Sequence, residues 1–367
     1  MTLKALADTF ETLRAAGESC VLATVTHTEG STYTKAGAHM LIGPDDVCHG
    51  LLSGGCLEGD LAQRGASVRD DGLARAVTYD MRNRDHDEIW GLGLGCDGAM
   101  DVLLTRIGPD TGYAPFGRIA QAVRERRRCA WALVTTSDAG DVAVGASMTL
   151  SDGQSHPVGL GPAVADELAA HLARSLSGGQ PHTVAVAGGA VTALVCPVPL
   201  PPRLLVAGAG PDVMPVLRFA AELGWSVTVV DHRPAYVDAL PAPDGGDAVL
   251  VRPAALGDAM SLDAFDAALI MSHHLASDRD YLRVLASADI PYVGLLGPSA
   301  RRQRLLDDLG SASADALGNR LFAPVGLDLG ARGPAGIALS AVAQIQAVLS
   351  GRKAAHFADA TLNPQGA

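Results

Sequence analysis

One cysteine of this chain directly follows two glycines and stands two residues before a carboxylate, in the run Leu51-Leu-Ser-Gly-Gly-Cys-Leu-Glu58. Gly54 and Gly55 lack a Cβ, so the backbone can turn sharply and present bare N–H groups there. Successive N–H groups in such a turn form a concavity that attracts anions. A helix beginning near Leu57 would add the positive end of its dipole beside the Cys56 sulfur. Such surroundings lower a thiol pKa and favour thiolate, the form that attacks electrophiles and ligates soft metals. Cys56, Gly54, Gly55 and Glu58 are therefore expected to form one site, with Cys56 as metal ligand or nucleophile. The competing reading makes Cys56 a small hydrophobe buried at a tight turn.

A second stretch, Ile89-Trp-Gly-Leu-Gly-Leu-Gly-Cys-Asp-Gly98, places Cys96 in a similar setting. Gly91, Gly93 and Gly95 remove the side chains from one face of an extended segment. Another backbone or a flat ligand could lie against that face. Gly93, Gly95 and Cys96 join the candidate site on this ground, against close strand packing as the alternative.

The third constellation lies in the second half. Arg203-Leu-Leu-Val-Ala-Gly-Ala-Gly210 reads as an apolar strand running into G-x-G. A helix over 212–223 follows, then the strand Ser226–Asp231, which ends in an acid. Strand, glycine turn, helix, strand and acid make the dinucleotide-binding unit. Gly208 and Gly210 would admit a pyrophosphate and Asp231 would bind ribose hydroxyls, with a preference for NAD over NADP. Val213 occupies the third glycine position, so a Rossmann crevice serving another purpose is the alternative. Further on, Ser272-His-His274 ends a strand, where open α/β sheets bind ligands. Ser272 and His273 are candidates there, with His273 as acid, ligand or simple cap.

The elements that must position these groups follow from periodicity. An amphipathic helix spans the first 17 residues, with none of the apolar core of a secretory signal. Strands are expected at 20–27, 38–42, 76–79, 99–107 and 129–135, with helices over 57–69 and 116–128 and a turn at 28–31. Residues 137–180 carry little signal beyond a helix at 163–175, and a hairpin follows with its turn at Gly188-Gly189. Pro197-Val-Pro-Leu-Pro-Pro202 is a stiff connector and the expected domain boundary. Beyond it, apolar strands alternate with helices at 281–288, from 299, and at 334–350, as a parallel sheet demands. The expected fold is α/β: a mixed α/β first domain over 1–199, a Rossmann-like parallel sheet over 203–351, and a mobile tail over 352–367.

Composition narrows the function classes. The 367 residues carry 28 Lys and Arg against 40 Asp and Glu, a net charge of −12. An acidic chain argues against nucleic acid as a partner, since phosphate binding needs clustered cations. None of the six cysteines forms a C-x-x-C pair, which argues against structural zinc. No apolar run is long enough to span a membrane. A reduced, cytoplasmic protein without a membrane partner is expected.

Together these segments resemble the xanthine dehydrogenase accessory proteins, the XdhC/CoxI family. The resemblance rests on Thr28-Glu-Gly-Ser31 with Gly37, Ser53-Gly-Gly-Cys-Leu-Glu58 and Trp90-Gly-Leu-Gly-Leu-Gly-Cys96 in the first half. In the second half it rests on Gly208-Ala-Gly210, Val230-Asp-His-Arg-Pro234, Ser272-His273, Gly294-Leu-Leu-Gly297 and Pro324-Val-Gly-Leu-Asp328. It implies an XdhC/CoxI-type domain followed by a Rossmann domain. It further implies binding of the molybdenum cofactor, protection of its sulfurated form, and delivery to a molybdenum hydroxylase apoenzyme. A cysteine desulfurase is the implied sulfur source, and Cys56, Cys96 and their glycines are the residues onto which the role carries over. A homodimer is expected. Two other functions remain open: an NAD(P)-dependent oxidoreductase using His273 as acid or base, and a sulfurtransferase using Cys56.

Overall fold

The computed structural model describes residues 1–82, 97–241, 247–330 and 332–355. The glycine-rich stretch through Cys96, including Gly93 and Gly95, lies outside the described residues, as does the tail from residue 356. The chain divides into two compact units, Met1–Leu200 and Pro201–Ala367.

The first unit holds two antiparallel sheets. One is built from β1 (Cys20–Gly30), β2 (His39–Ile42), β3 (Cys48–His49), β4 (Arg75–Asp80) and β5 (Gly98–Ile107), in the order β3-β2-β1-β5-β4. The other comprises β6 (Cys129–Ser137), β7 (Ser147–Ser151), β8 (Gln154–Val158), β9 (His182–Val186) and β10 (Val191–Pro197), in the order β8-β7-β6-β10-β9. Their facing residues share one core: Leu22, Leu41 and Leu103 from the first sheet, Trp131, Leu133 and Leu194 from the second. The helices Leu3–Ala15 and Phe116–Glu125 enter the same core through Phe10 and Phe116. The opposite faces are covered separately, the first sheet by the helix Glu58–Asp71 and the second by the helix Pro162–Ser175. Burial on both faces explains why strands such as Cys20-Val-Leu-Ala-Thr-Val25 read as continuous apolar runs rather than alternating ones.

Two elements differ from the sequence expectation. The expected turn at Thr28–Ser31 is largely strand: β1 continues to Gly30, which pairs with Gly98. Two glycines meet there because a Cβ on Gly98 would lie 2.5 Å from the Ser31 carbonyl oxygen. The β7–β8 hairpin occupies a stretch that carries little sequence signal. Residues of β8 are almost all exposed, so no apolar alternation marks it.

The second unit is a six-stranded sheet of β11 (Arg203–Ala207), β12 (Ser226–Asp231), β13 (Asp247–Leu250), β14 (Ala267–Ile270), β15 (Tyr292–Leu295) and β16 (Leu321–Phe322). All its pairs are parallel and the order is β13-β12-β11-β14-β15-β16. Counted within the unit this is 3-2-1-4-5-6, the Rossmann order, whose chain reversal lies between β11 and β14. The helices Val213–Glu222 and Gly333–Leu349 cover one face, and the helix Leu275–Ala286 covers the other.

Gly208 sits at that reversal with φ of 124°, and a Cβ there would lie 2.7 Å from the Met271 carbonyl and the Ser272 Cα. Both the dihedral and the space exclude a side chain. Gly208→Ala should therefore lower unfolding free energy by roughly 2–4 kcal/mol in urea titration. Gly330 also has a positive φ, of 63°, but open space around it. Gly330→Ala should cost about 1 kcal/mol; equal costs for the two would show that the close approach at Gly208 carries no energy.

Candidate functional site

In the first unit the thiol loop is built around a buried carboxylate. Glu58 is the first residue of its helix, yet it is only 8% exposed, and its side chain folds back beneath the preceding turn. One oxygen accepts from the N–H groups of Leu52 at 2.8 Å and Ser53 at 2.9 Å. The other accepts from the Ser53 hydroxyl at 2.6 Å and the Leu57 N–H at 3.2 Å. The Ser53 Oγ in turn accepts from the N–H groups of Cys56 at 3.1 Å and Leu57 at 2.8 Å. Burial alone would raise the Glu58 pKa, but the bonds from Ser53 and Leu52 outweigh it and hold the carboxyl below its ordinary value.

Glu58 thus shapes the site from beneath. The expectation that it faces a ligand is corrected, because its oxygens are spent on four donors of its own loop. Between the clasped ends, Gly54 and Gly55 swing out with φ of 81° and 111°. Their N–H groups have no partner among the described residues. The outcome for Cys56 is an exposed thiol, not a buried hydrophobe. The Tyr33 ring lies against Gly54, 3.5 Å from where a Cβ would stand, and is itself 65% exposed.

The remaining cysteines contrast with it. Cys20, Cys129 and Cys196 are buried, and burial pushes the Cys20 and Cys129 thiols up to about 12. Cys48 is half-buried and donates to the Glu58 carbonyl at 3.4 Å; burial and the Glu58 and Asp46 charges raise its pKa. Among the described residues Cys56 is the one exposed thiol. No group of three or more His, Cys, Asp or Glu is placed to hold a metal among the described residues.

In the second unit Gly208, Gly210, Asp231, Ser272 and His273 do converge, at the C-terminal edge of the parallel sheet. Their uses differ from the sequence expectation. Asp231 is fully buried and accepts from the Ala209 N–H at 2.8 Å. It also takes the Arg233 N–H at 3.0 Å and the Arg233 guanidinium at 2.9 and 2.7 Å. Burial acts to raise its pKa, yet the Arg233 and Ala209 bonds bring it down to about 2. Both oxygens pin the glycine turn, so a ribose hydroxyl would have to displace Arg233, which is also stacked on the Tyr236 ring at 3.9 Å. Val213 is buried and donates its N–H to the Gly210 carbonyl at 3.0 Å, which removes one donor a pyrophosphate would use.

Ser272 is buried as well. It donates to Asp278, which accepts from the Arg301 guanidinium at 2.6 and 3.1 Å. His273 stands outside this network, exposed, with a left-handed φ of 60°, and its Nε2 lies 2.7 Å from Asp212 at the start of the helix Val213–Glu222. His274 is the cap: its Nδ1 accepts from the Ser277 N–H at 3.3 Å. Beneath the His273–Asp212 pair lies a largely apolar cavity of about 330 Å³, with walls that include Met271, Leu296 and Ile337. Asp212, Asp278 and Arg301 escaped the sequence reading. Arg233 stood inside a recognised motif beside Asp231, whereas Asp278 and Arg301 are 23 positions apart with no local signal.

Such a molecule is a two-unit α/β protein: among the described residues one unit presents one exposed, clasped thiol, and the other is a Rossmann sheet whose glycine turn is pinned by Asp231 with Arg233. The chain belongs to the XdhC and CoxI family. That family's model matches residues 13–80, and the XdhC Rossmann domain model matches residues 204–345. It is 33% identical over 329 residues to a probable xanthine dehydrogenase subunit of Bacillus subtilis, covering 89% of this chain and 92% of that one. The crystal structure of a xanthine dehydrogenase from Bacillus halodurans superimposes with a TM-score of 0.76 at 30% identity, covering 98% of this chain and 99% of that one. The uncharacterized protein YqeB of Escherichia coli is 30% identical over 161 residues, 43% of this chain and 29% of its own length. No helix among the described residues is long and apolar enough to cross a membrane.

The clasp predicts a pH dependence. Because the folded-state pKa of Glu58 lies below its ordinary value, its contribution is fully present above the ordinary carboxylate range. It is lost as pH falls through the lower folded value. Glu58→Gln should destabilise the first unit by roughly 1–3 kcal/mol at neutral pH, since the amide nitrogen cannot accept. The gap from wild type should close below the folded-state pKa. Thermal unfolding across acidic and neutral pH tests this; a gap that is the same at every pH would show that the charge of Glu58 contributes nothing to the clasp.

Proposed function

We propose that the chain is a carrier: it binds the molybdenum cofactor, shields its sulfurated form and hands it to a xanthine dehydrogenase-type apoenzyme. The observation that carries this reading is Cys56, an exposed thiol held away from the core on a turn that Glu58 and Ser53 clasp from beneath. Thiolate suits a soft molybdenum–sulfur centre. Once its proton is lost to solvent, the Cys56 sulfur ligates the metal, while the open N–H groups of Gly54 and Gly55 receive an anionic group of the cargo. The exposed Tyr33 beside this turn shields the bound centre from water on one side.

In this reading a cysteine desulfurase supplies the sulfur, the protein works as a homodimer in a reducing cytoplasm, and no reaction is catalysed. The Rossmann crevice supports rather than drives the role, because Asp231 and Val213 are committed to the protein. An NAD(P)-dependent oxidoreductase would need that turn open. A sulfurtransferase would carry a persulfide on Cys56 through repeated turnovers.

Cys56→Ala and Cys129→Ala, purified from a molybdenum-supplemented host, separate these readings. Cys56→Ala should lose most of its bound pterin and molybdenum, while Cys129→Ala, altered at a buried strand position, should keep both. Full retention by folded Cys56→Ala defeats the thiol assignment. Bound nicotinamide with substrate turnover establishes the oxidoreductase, and catalytic sulfur transfer establishes the transferase.

A further inference from the structure

The second unit holds an open cavity of about 330 Å³ beside the glycine turn, and the carrier reading gives it no task. Its walls are aliphatic. Val216 comes from the helix Val213–Glu222, Leu269 and Met271 from the end of β14, and Ile337 from the helix Gly333–Leu349. Leu296 and Val325 follow β15 and β16. No aromatic ring lines it among the described residues. The polar side chains of the lining are Asp212 and His273, and both keep surface open to solvent, 22% and 59% of their side chains.

What these two side chains offer a ligand is acceptors. His273 Nε2 lies 2.7 Å from Asp212 Oδ2. A carboxylate oxygen accepts, so Nε2 carries the hydrogen of that bond, and Nδ1 of the neutral ring is left as a lone pair. Neither Nδ1 nor Asp212 Oδ1 has a partner among the described residues. Asp212 also stands directly before the helix Val213–Glu222, and its Oδ1 lies 2.8 Å from where a Cβ on Gly210 would be. A Rossmann sheet ordinarily takes the phosphates of its ligand at that place. Here a carboxylate of the chain itself occupies it, so the mouth repels anions and favours a cation with hydrogens to donate. The left-handed φ of 60° at His273 is the local strain that keeps the ring at this mouth.

We infer that this cavity binds a small aliphatic primary amine, its ammonium group donating to Asp212 Oδ1 and His273 Nδ1 and its hydrocarbon body lying along Met271, Leu296 and Ile337. The inference goes beyond the carrier reading and does not depend on it, since it concerns the second unit alone. An ammonium group has three donors and no acceptor, the complement of this mouth. Walls without a ring to stack on suit a saturated body rather than a flat one. The volume lies at the lower end of small-molecule sites, and apolar walls with a few convergent polar groups are what such sites use.

The test is calorimetric titration of the full-length protein with n-hexylamine, n-hexanol and hexanoate at neutral pH. Hexylamine should bind, hexanol should bind roughly tenfold more weakly, and hexanoate should not bind. From propylamine to hexylamine the affinity should climb by up to roughly fourfold per methylene group. Asp212→Asn, which keeps the shape and removes the charge, should weaken hexylamine roughly tenfold. Ile337→Ser should flatten the dependence on chain length. No binding of hexylamine by wild type, hexanoate bound as tightly as hexylamine, an affinity independent of chain length, or wild-type strength in Asp212→Asn each overturns the inference. If Asp212→Asn fails to fold, hydrogen exchange on wild type decides. Hexylamine should then protect residues 212–217, 271–273 and 333–341, and protection confined to other segments overturns the assignment.

Discussion

The buried carboxylate of Glu58 is the constraint on which the thiol site depends. A carboxylate out of water is costly unless donors surround it. The chain meets that cost with the N–H groups of Leu52, Ser53 and Leu57 and the Ser53 hydroxyl. Gathering four donors around one side chain fixes the path of the backbone from 52 to 58. The residues between have one way out, and the two glycines with positive φ take it. Cys56 is exposed because Glu58 is not. The same helix packs Leu61 and Val68 onto the first sheet, so the thiol loop inherits the rigidity of the core beneath it.

The second unit repeats the device with different residues. Asp231 gathers Ala209 and Arg233 and pins the glycine turn; Asp278 gathers Ser272 and Arg301 and pins the end of β14. In each case a buried acid stiffens a loop at the edge of a sheet. The consequence differs between the two units. At Glu58 the clasp pushes a reactive group outward. At Asp231 it fills the place where a nucleotide ribose binds in a Rossmann sheet. Of the residues at that edge, His273 with Asp212 is what stays exposed over a cavity, and its left-handed backbone is the kind of local strain that collects at functional sites.

Much of the fold was legible because it rests on local signals. Continuous apolar runs marked the strands, Gly72 closed the helix Glu58–Asp71 in a left-handed cap, and Gly208-Ala-Gly210 with a following acid marked the Rossmann turn. The β7–β8 hairpin was hidden, since an exposed edge strand has no apolar face to display. The site was legible by residue and less so by role. Sequence shows that Glu58 and Asp231 are acids at the right places, but not whether their oxygens face a ligand or the protein. That choice is made by partners such as Ser53 and Arg233, whose geometry exists only after the loop closes. His39 gave no signal at all: within Ala38-His-Met-Leu-Ile42 it reads as one more strand residue. Only the packing of Trp131 from the second sheet against its ring shows that its Nε2 is buried without a partner among the described residues.

The position of the bound molybdenum decides whether Cys56 is its ligand. Protein purified from a molybdenum-supplemented host can be crystallised and its anomalous scattering recorded on both sides of the molybdenum absorption edge. The carrier reading predicts a molybdenum peak within bonding distance of the Cys56 sulfur, above the turn formed by Gly54 and Gly55. A molybdenum peak at any other position in the first or second unit, with Cys56 unligated, would contradict it.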